Sequence, residues 1–189
     1  MSKMKTIATL GLQTATLLSL GTLASAAELP VAGGLLGDPV LLSPACSLAE
    51  ITSDGLSIRL KVDTAGAADA LVGTECSLQV AVNVPKGMRV GIPLAQSMTH
   101  YALSEMSMSQ ANASVSLDGQ ELLGVGSDYS EENGDHSEHS KKTAWTACGQ
   151  DAILSMSALV RIQTGPSDDK SEMSLELSTG GLVWEKCAK

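Results

Sequence analysis

The chain has 189 residues, 21 of them acidic and 12 basic, for a net charge of −9 with histidine neutral. That acidity repels the dense charge of phosphate backbones and anionic membrane surfaces, so nucleic acid is not expected as a partner. The aromatic complement is two Trp, two Tyr and no Phe, so aliphatic side chains and methionine must fill the core.

The first residues read as a secretory signal peptide. Lys3 and Lys5 form a basic start, Ile7 to Leu23 an apolar stretch, and Ala24-Ser25-Ala26 a small-residue cleavage site. Gln13, Thr14, Thr16 and Ser19 interrupt the stretch, and no later run reaches the roughly 20 apolar residues a spanning helix needs, so no membrane insertion is expected. The expected location is secreted and extracellular, or periplasmic in a Gram-negative cell. Residues 1–26 carry two lysines and no acid, which leaves 10 basic against 21 acidic side chains and a net charge of −11. The remaining 163 residues suit one domain.

Residues 27–45 hold Pro30, Gly33, Gly34, Gly37, Pro39 and Pro44 among apolar residues, a pattern that predicts an irregular leading arm. The domain proper is expected over 46–189. From Cys46 onward the dominant signal is alternation with period two, which places one face of each strand in a core and the other in water. Ile58, Leu60 and Val62 alternate with Arg59 and Lys61; Leu78, Val80, Val82 and Val84 with Gln79 and Asn83. Leu154, Met156, Val160 and Ile162 alternate with Ser155, Ser157, Arg161 and Gln163, and Met173, Leu175 and Leu177 with Ser174 and Glu176. Residues 64–74 alone have the alanine content of a helix, of two turns at most between Gly66 and Gly73. Asp54-Gly55, Asp118-Gly119 and Gly180-Gly181 supply residues that accept positive φ and predict three hairpins. Strands at this spacing, without interposed helices, make the fold class all-β, an antiparallel β-sandwich, with a barrel as the runner-up.

Cys46, Cys76, Cys148 and Cys187 are an even set at wide spacing, which in an exported chain implies two disulfides and matches no metal motif. Three pairings are possible. The favoured one joins Cys46 to Cys187, tying the domain's ends, and Cys76 to Cys148.

The segment 126–142, GSDYSEENGDHSEHSKK, is expected to be a solvated surface loop. The competing reading is a divalent-metal site on Asp135, His136, Glu138 and His139, taking Zn²⁺, Cu²⁺ or Ca²⁺; no other cofactor is indicated. Met98, His100, Met106 and Met108 share even parity, a soft set suited to Cu(I) if one strand carried all four, but their span is too long for one site. Its methionines, together with Met88, Met156 and Met173, are read as core filler. Trp145 and Trp184 each precede a cysteine by three residues and are expected to pack against the disulfides rather than form a ligand platform. No catalytic residues stand out: His100, His136 and His139 are the only imidazoles, and no nucleophile motif accompanies them.

Several of these residues also carry a family resemblance. The chain has Cys46; Cys76-Ser77-Leu78-Gln79-Val80 leading to Pro85-Lys86-Gly87; Tyr101-Ala102; Trp145-Thr146-Ala147-Cys148-Gly149; Val160-Arg161; and Leu182-Val183-Trp184-Glu185-Lys186-Cys187. In these it resembles DUF4360, a family of small secreted proteins of fungi and some bacteria. The aromatic-rich middle of that family is replaced here by residues 103–117 and the acidic segment. The resemblance implies a secreted, cysteine-bridged β domain and brings no activity with it. The expected function is therefore a non-catalytic interaction or surface module, with a protein or a glycan as partner. A metal-binding exported protein is the second reading and an extracellular hydrolase the third.

Overall fold

The computed structural model describes residues 36–43, 49–52, 55–130, 133–166 and 169–188. The expected signal peptide and Cys46 lie outside the described residues. In chain order the strands are β1 (Leu36–Leu41), β2 (Ala49–Thr52), β3 (Gly55–Asp63), β4 (Leu71–Val82), β5 (Met88–Ile92), β6 (Ala95–Ala102) and β7 (Met108–Leu117). They continue as β8 (Gln120–Tyr129), β9 (Asn133–His139), β10 (Ala144–Trp145), β11 (Ala152–Gln163), β12 (Glu172–Thr179) and β13 (Val183–Lys186).

These strands form a first sheet β1-β4-β11-β7-β8, a second sheet β2-β3-β12-β6-β9 and a small third sheet β10-β5-β13. The first two face one another, with β11 packed on β12 and β3, and β3 on β4. The expected sandwich is thus the observed architecture. The alternation read from sequence explains it directly: Leu78, Val80, Val82, Leu154, Met156, Val160 and Ile162 line the inner face of the first sheet. Ile58, Leu60, Val62, Met173, Leu175 and Leu177 line that of the second. Each fully buried large aliphatic side chain contributes roughly 1.5–3 kcal/mol to the sandwich. Among the described residues no helix is long and apolar enough to cross a membrane.

Two of the expected hairpins form. The β7–β8 turn has Asp118 at φ 50° and Gly119 at φ 77°, the two positive values a tight two-residue hairpin needs. β2 and β3 pair from Thr52↔Gly55 onward. Gly180-Gly181 instead leads out of the second sheet, because β13 pairs with β5 and not with β12.

Other expectations are corrected. Within the arm, residues 36–41 are a strand: β1 pairs with β4, and Pro39, which cannot donate to a ladder, sits on this sheet edge at a break in register. Residues 64–70 form two tight turns rather than a helix, with Ala65, Gly66 and Asp69 at positive φ and Thr164 Oγ1 accepting the Ala70 N–H at 2.7 Å while donating to the Ala67 carbonyl at 2.8 Å. Residues 126–129 and 133–139 are not loop but the end of β8 and the whole of β9. Met156 and Met173 fill the core as expected, whereas Met98, Met106 and Met108 are 53%, 75% and 54% exposed. Leu, Ile and Val occupy the space that Phe leaves.

The disulfide pairing is corrected as well. Cys148 is bonded to Cys187, with their Cα atoms 6.1 Å apart, which excludes both Cys46–Cys187 and Cys76–Cys148. The reason is topological. β10 and β13 both run antiparallel to β5, so the residues following each arrive together at the start of β5. There Gly149 N donates to Met88 O at 2.8 Å and Cys187 N to Gly87 O at 3.0 Å. Cys76 is buried and also disulfide-bonded. The sequence holds one further cysteine, Cys46.

The tryptophans take separate roles. Trp145 stands in register with Gly91 of β5, where a Cβ would come within 2.8 Å of the indole, so glycine is what lets the ring lie on the strand. Arg89 covers that ring, its guanidinium carbon 4.7 Å from the centroid, and pairs with Glu185 at 2.7 Å. Trp184 is opposite Val90 and packs against the hydrophobic core.

Candidate functional site

The outer face of the second sheet carries a set of chemically capable side chains. Period two turns Arg59 and Lys61 of β3, Glu172, Ser174 and Glu176 of β12, and Met98 and His100 of β6 away from the core. Cross-strand register then assembles them into rungs. One rung reads Arg59, Glu176, Met98, Ser137, and the next Lys61, Ser174, His100, Asp135.

Opposite charges meet along these rungs. Arg59 donates from Nε to Glu176 Oε2 at 3.1 Å and from Nη2 to Oε1 at 3.4 Å, a two-pronged pair. Lys61 Nζ lies 3.2 Å from Glu172 Oε2, and Lys170 Nζ lies 2.8 Å from Asp63 Oδ2. The hydrogen bond from Lys170 holds the Asp63 carboxyl below its ordinary value, and Lys61 does the same for Glu172. Lys170 is raised in return, chiefly by Asp63. His100 Nδ1 and Asp135 Oδ1 share a hydrogen bond of 2.5 Å. Between the two central rungs lies an open depression of about 630 Å³, within the size range of small-ligand sites.

The four expected metal ligands are all on β9, and the strand's own period separates them. Asp135 faces outward to His100, while His136 pairs with Glu138, Nε2 to Oε1 at 3.4 Å, and its ring lies 6.0 Å from that of Tyr129. His139 is opposite Gln96. Among the described residues no three His, Cys, Asp or Glu side chains gather as a metal would require. The even-parity set Met98, His100, Met106 and Met108 is likewise divided: the first two share the outer face of β6, Met106 sits in a turn at φ 59°, and Met108 begins β7 in the other sheet.

Asp135, His100 and Ser174 occupy successive strands of one rung, the residue types of a nucleophilic triad. The His100 and Asp135 side chains are 60% and 83% exposed, so water is not excluded, and no hydrogen bond joins Ser174 to the ring. Arg59, Ser174, Glu176 and His100 were absent from the expected site. The signal that marks three of them is their place on the wet side of alternating strands, but only the order β3-β12-β6-β9 makes them neighbours.

The fold is a β-sandwich, and this candidate site is an open sheet surface and not an enclosed pocket. Residues 50–187 match the family described as a domain of unknown function, DUF4360, and the chain belongs to that family. No curated protein matches the sequence. Among solved structures the chain is similar to the N-terminal cellulose-binding domain of β-1,4-glucanase C from Cellulomonas fimi, at 11% identity and TM-score 0.26, over 80% of this chain and 90% of that one. It is also similar to a structure titled "CBM4 structure and function", at 12% identity and TM-score 0.25, over 79% and 94%. A third is TmCBM61 in complex with β-1,4-galactotriose, at 11% identity and TM-score 0.23, over 79% and 88%. These likenesses are too loose to transfer a ligand.

Proposed function

We propose that the protein is a non-catalytic binding module of the extracellular space, and that the outer face of the second sheet takes an uncharged, hydroxylated ligand of the glycan class. The observation that carries this reading is the pair of rungs Arg59–Glu176–Met98–Ser137 and Ser174–His100–Asp135 around the open depression. A sugar hydroxyl both donates and accepts, and this face offers each kind of partner at neighbouring positions: carboxylates that accept, a guanidinium and an imidazole that donate, hydroxyls that do both. Most of the charges are already paired with one another, so a neutral ligand meets little unbalanced charge. Met98, half-exposed between them, supplies an apolar contact for a sugar's C–H face. A location outside the cytosol is supported by the disulfide-bonded cysteines, since such bonds persist in oxidising compartments.

The test is a melting-temperature and titration screen of the oxidised protein against neutral oligosaccharides, with His100→Ala and Glu176→Ala alongside. A ligand that binds only the native state raises the melting temperature with its concentration. Either substitution is expected to weaken the bound saccharide by about 1–2 kcal/mol while leaving the unliganded protein's stability nearly unchanged, because both side chains are exposed. Saccharide binding that survives both substitutions removes this face as the site.

A further inference from the structure

We propose a second site, on the outer face of the first sheet, that takes a carboxylate-bearing sugar, a uronate residue of an acidic polysaccharide, on Arg161. This extends the glycan-binding reading but stands on the opposite sheet, so the two fail separately.

The chain has three arginines. Arg59 pairs with Glu176 and Arg89 with Glu185. Arg161 alone has no carboxylate partner among the described residues, in a protein with 21 acidic side chains. Its position is nonetheless built. Arg161 of β11 stands in register with Gly73 of β4, and a Cβ there would come within 2.7 Å of Arg161 Cγ. The glycine therefore lets the arginine stem lie across the sheet, and Arg161 lines two open depressions of about 470 and 660 Å³, the first also lined by Asp128 and the second by Glu75.

On the other side Gln110 of β7 stands in register with Arg161, and its Nε2 donates to Asp128 Oδ1 at 3.2 Å, which fixes the amide. The adjoining rung is Leu71, Gln163, Met108, whose two apolar ends are 72% and 54% exposed. A uronate uses all of this. Its carboxylate makes two parallel bonds to the planar guanidinium, its hydroxyls meet the amides and Asp128, and its C–H face rests on Met108 or Leu71. A fatty acid needs an enclosed apolar channel, whereas this surface is open and mixed, as a polymer lying across the sheet requires.

The experiment is titration of the full oxidised protein with oligogalacturonate and oligomannuronate, each against a matched neutral oligosaccharide and an acidic peptide, followed by calorimetry and backbone amide shifts. At least one uronate is expected to bind and to shift amides around Gly73, Gln110 and Arg161. Arg161→Gln is expected to weaken it about tenfold and Arg161→Lys by less, because lysine keeps the charge and loses the fork. Failure of both uronates to bind better than their neutral counterparts overturns the proposal, as does equal affinity in Arg161→Gln. Binding of the acidic peptide in place of the uronates, with the same dependence on Arg161, overturns it in favour of a protein partner.

Discussion

Ser109 and Tyr129 each bury a hydroxyl oxygen that has no hydrogen-bond partner among the described residues, and they stand opposite one another where β7 meets β8. A buried unpaired hydroxyl is a cost, so Ser109→Ala is expected to leave stability unchanged or raise it by up to about 1 kcal/mol. Ser171 is the contrasting case. It is fully buried, its Oγ accepts the Ser104 N–H at 2.9 Å and lies 2.9 Å from Ser104 Oγ, so Ser171→Ala is expected to cost about 1–3 kcal/mol. Urea midpoints of the two variants check the pair, and the opposite order of stability refutes it. Neither role was readable beforehand, because both are serines in polar stretches and only packing tells a partnered hydroxyl from an orphan. The methionines teach the same lesson. Parity grouped Met98 with Met108, but the chain changes sheets between them.

At the level of elements, the third sheet is the part of the fold that sequence conceals best. β10 has two residues and β13 four, too short for a periodic signal, and both depend on β5 for their position. The Cys148–Cys187 bond closes this unit across 39 residues, worth about 4 kcal/mol on the chain-entropy model. Cys148 is exposed while Cys76 is fully buried, so mild thiol is expected to open the Cys148–Cys187 bond first. A Cys148→Ser/Cys187→Ser variant is expected to lose roughly 2–4 kcal/mol. Its faster amide exchange should be confined to β5 and β13, with β4 and β11 protected as before. Alkylation mapping after partial reduction checks the order, and earlier release of Cys76 contradicts it. β9 escaped notice for a different reason: both of its faces are polar, as an edge strand beside water permits, so its alternation has no apolar half to reveal it.

For the whole molecule the net charge of −9 sets the background, and the cluster Asp63, Lys170, Glu172, Lys61 sets the pH window. Asp63 and Glu172 are held below their ordinary values of 3.8 and 4.5, so their contribution is complete above those values and is lost as pH falls through the lowered ones. Lys170 is raised above 10.5, so its contribution is complete below that value and is lost as pH rises beyond it. The cluster therefore supports the fold from above pH 4.5 to about pH 10.5. Its weight is modest because every member is in contact with solvent. Lys170→Met is expected to raise the Asp63 titration, followed by NMR, towards the ordinary carboxylate range, with the Ala65 N–H still holding it somewhat below. An Asp63 midpoint unchanged in that variant shows that the pair does not set it.

What the sequence determined by itself was the class of structure. Strict alternation in residues 58–62, 78–84, 154–162 and 173–177 commits each run to a half-buried strand, because successive side chains in an extended backbone must point to opposite faces. The motif set from Cys46 to Cys187 likewise carried the family resemblance, and residues 50–187 match that family. Tertiary structure decided everything that depends on which strands lie side by side. That includes the pairing of Cys148 with Cys187, the division of Asp135, His136, Glu138 and His139 between two faces, and the rungs that bring Arg59, Glu176 and His100 together. The physical reason is common to all three: a strand's period is local and written in its residues, whereas strand order and register are set by how the two sheets bury their apolar faces against each other.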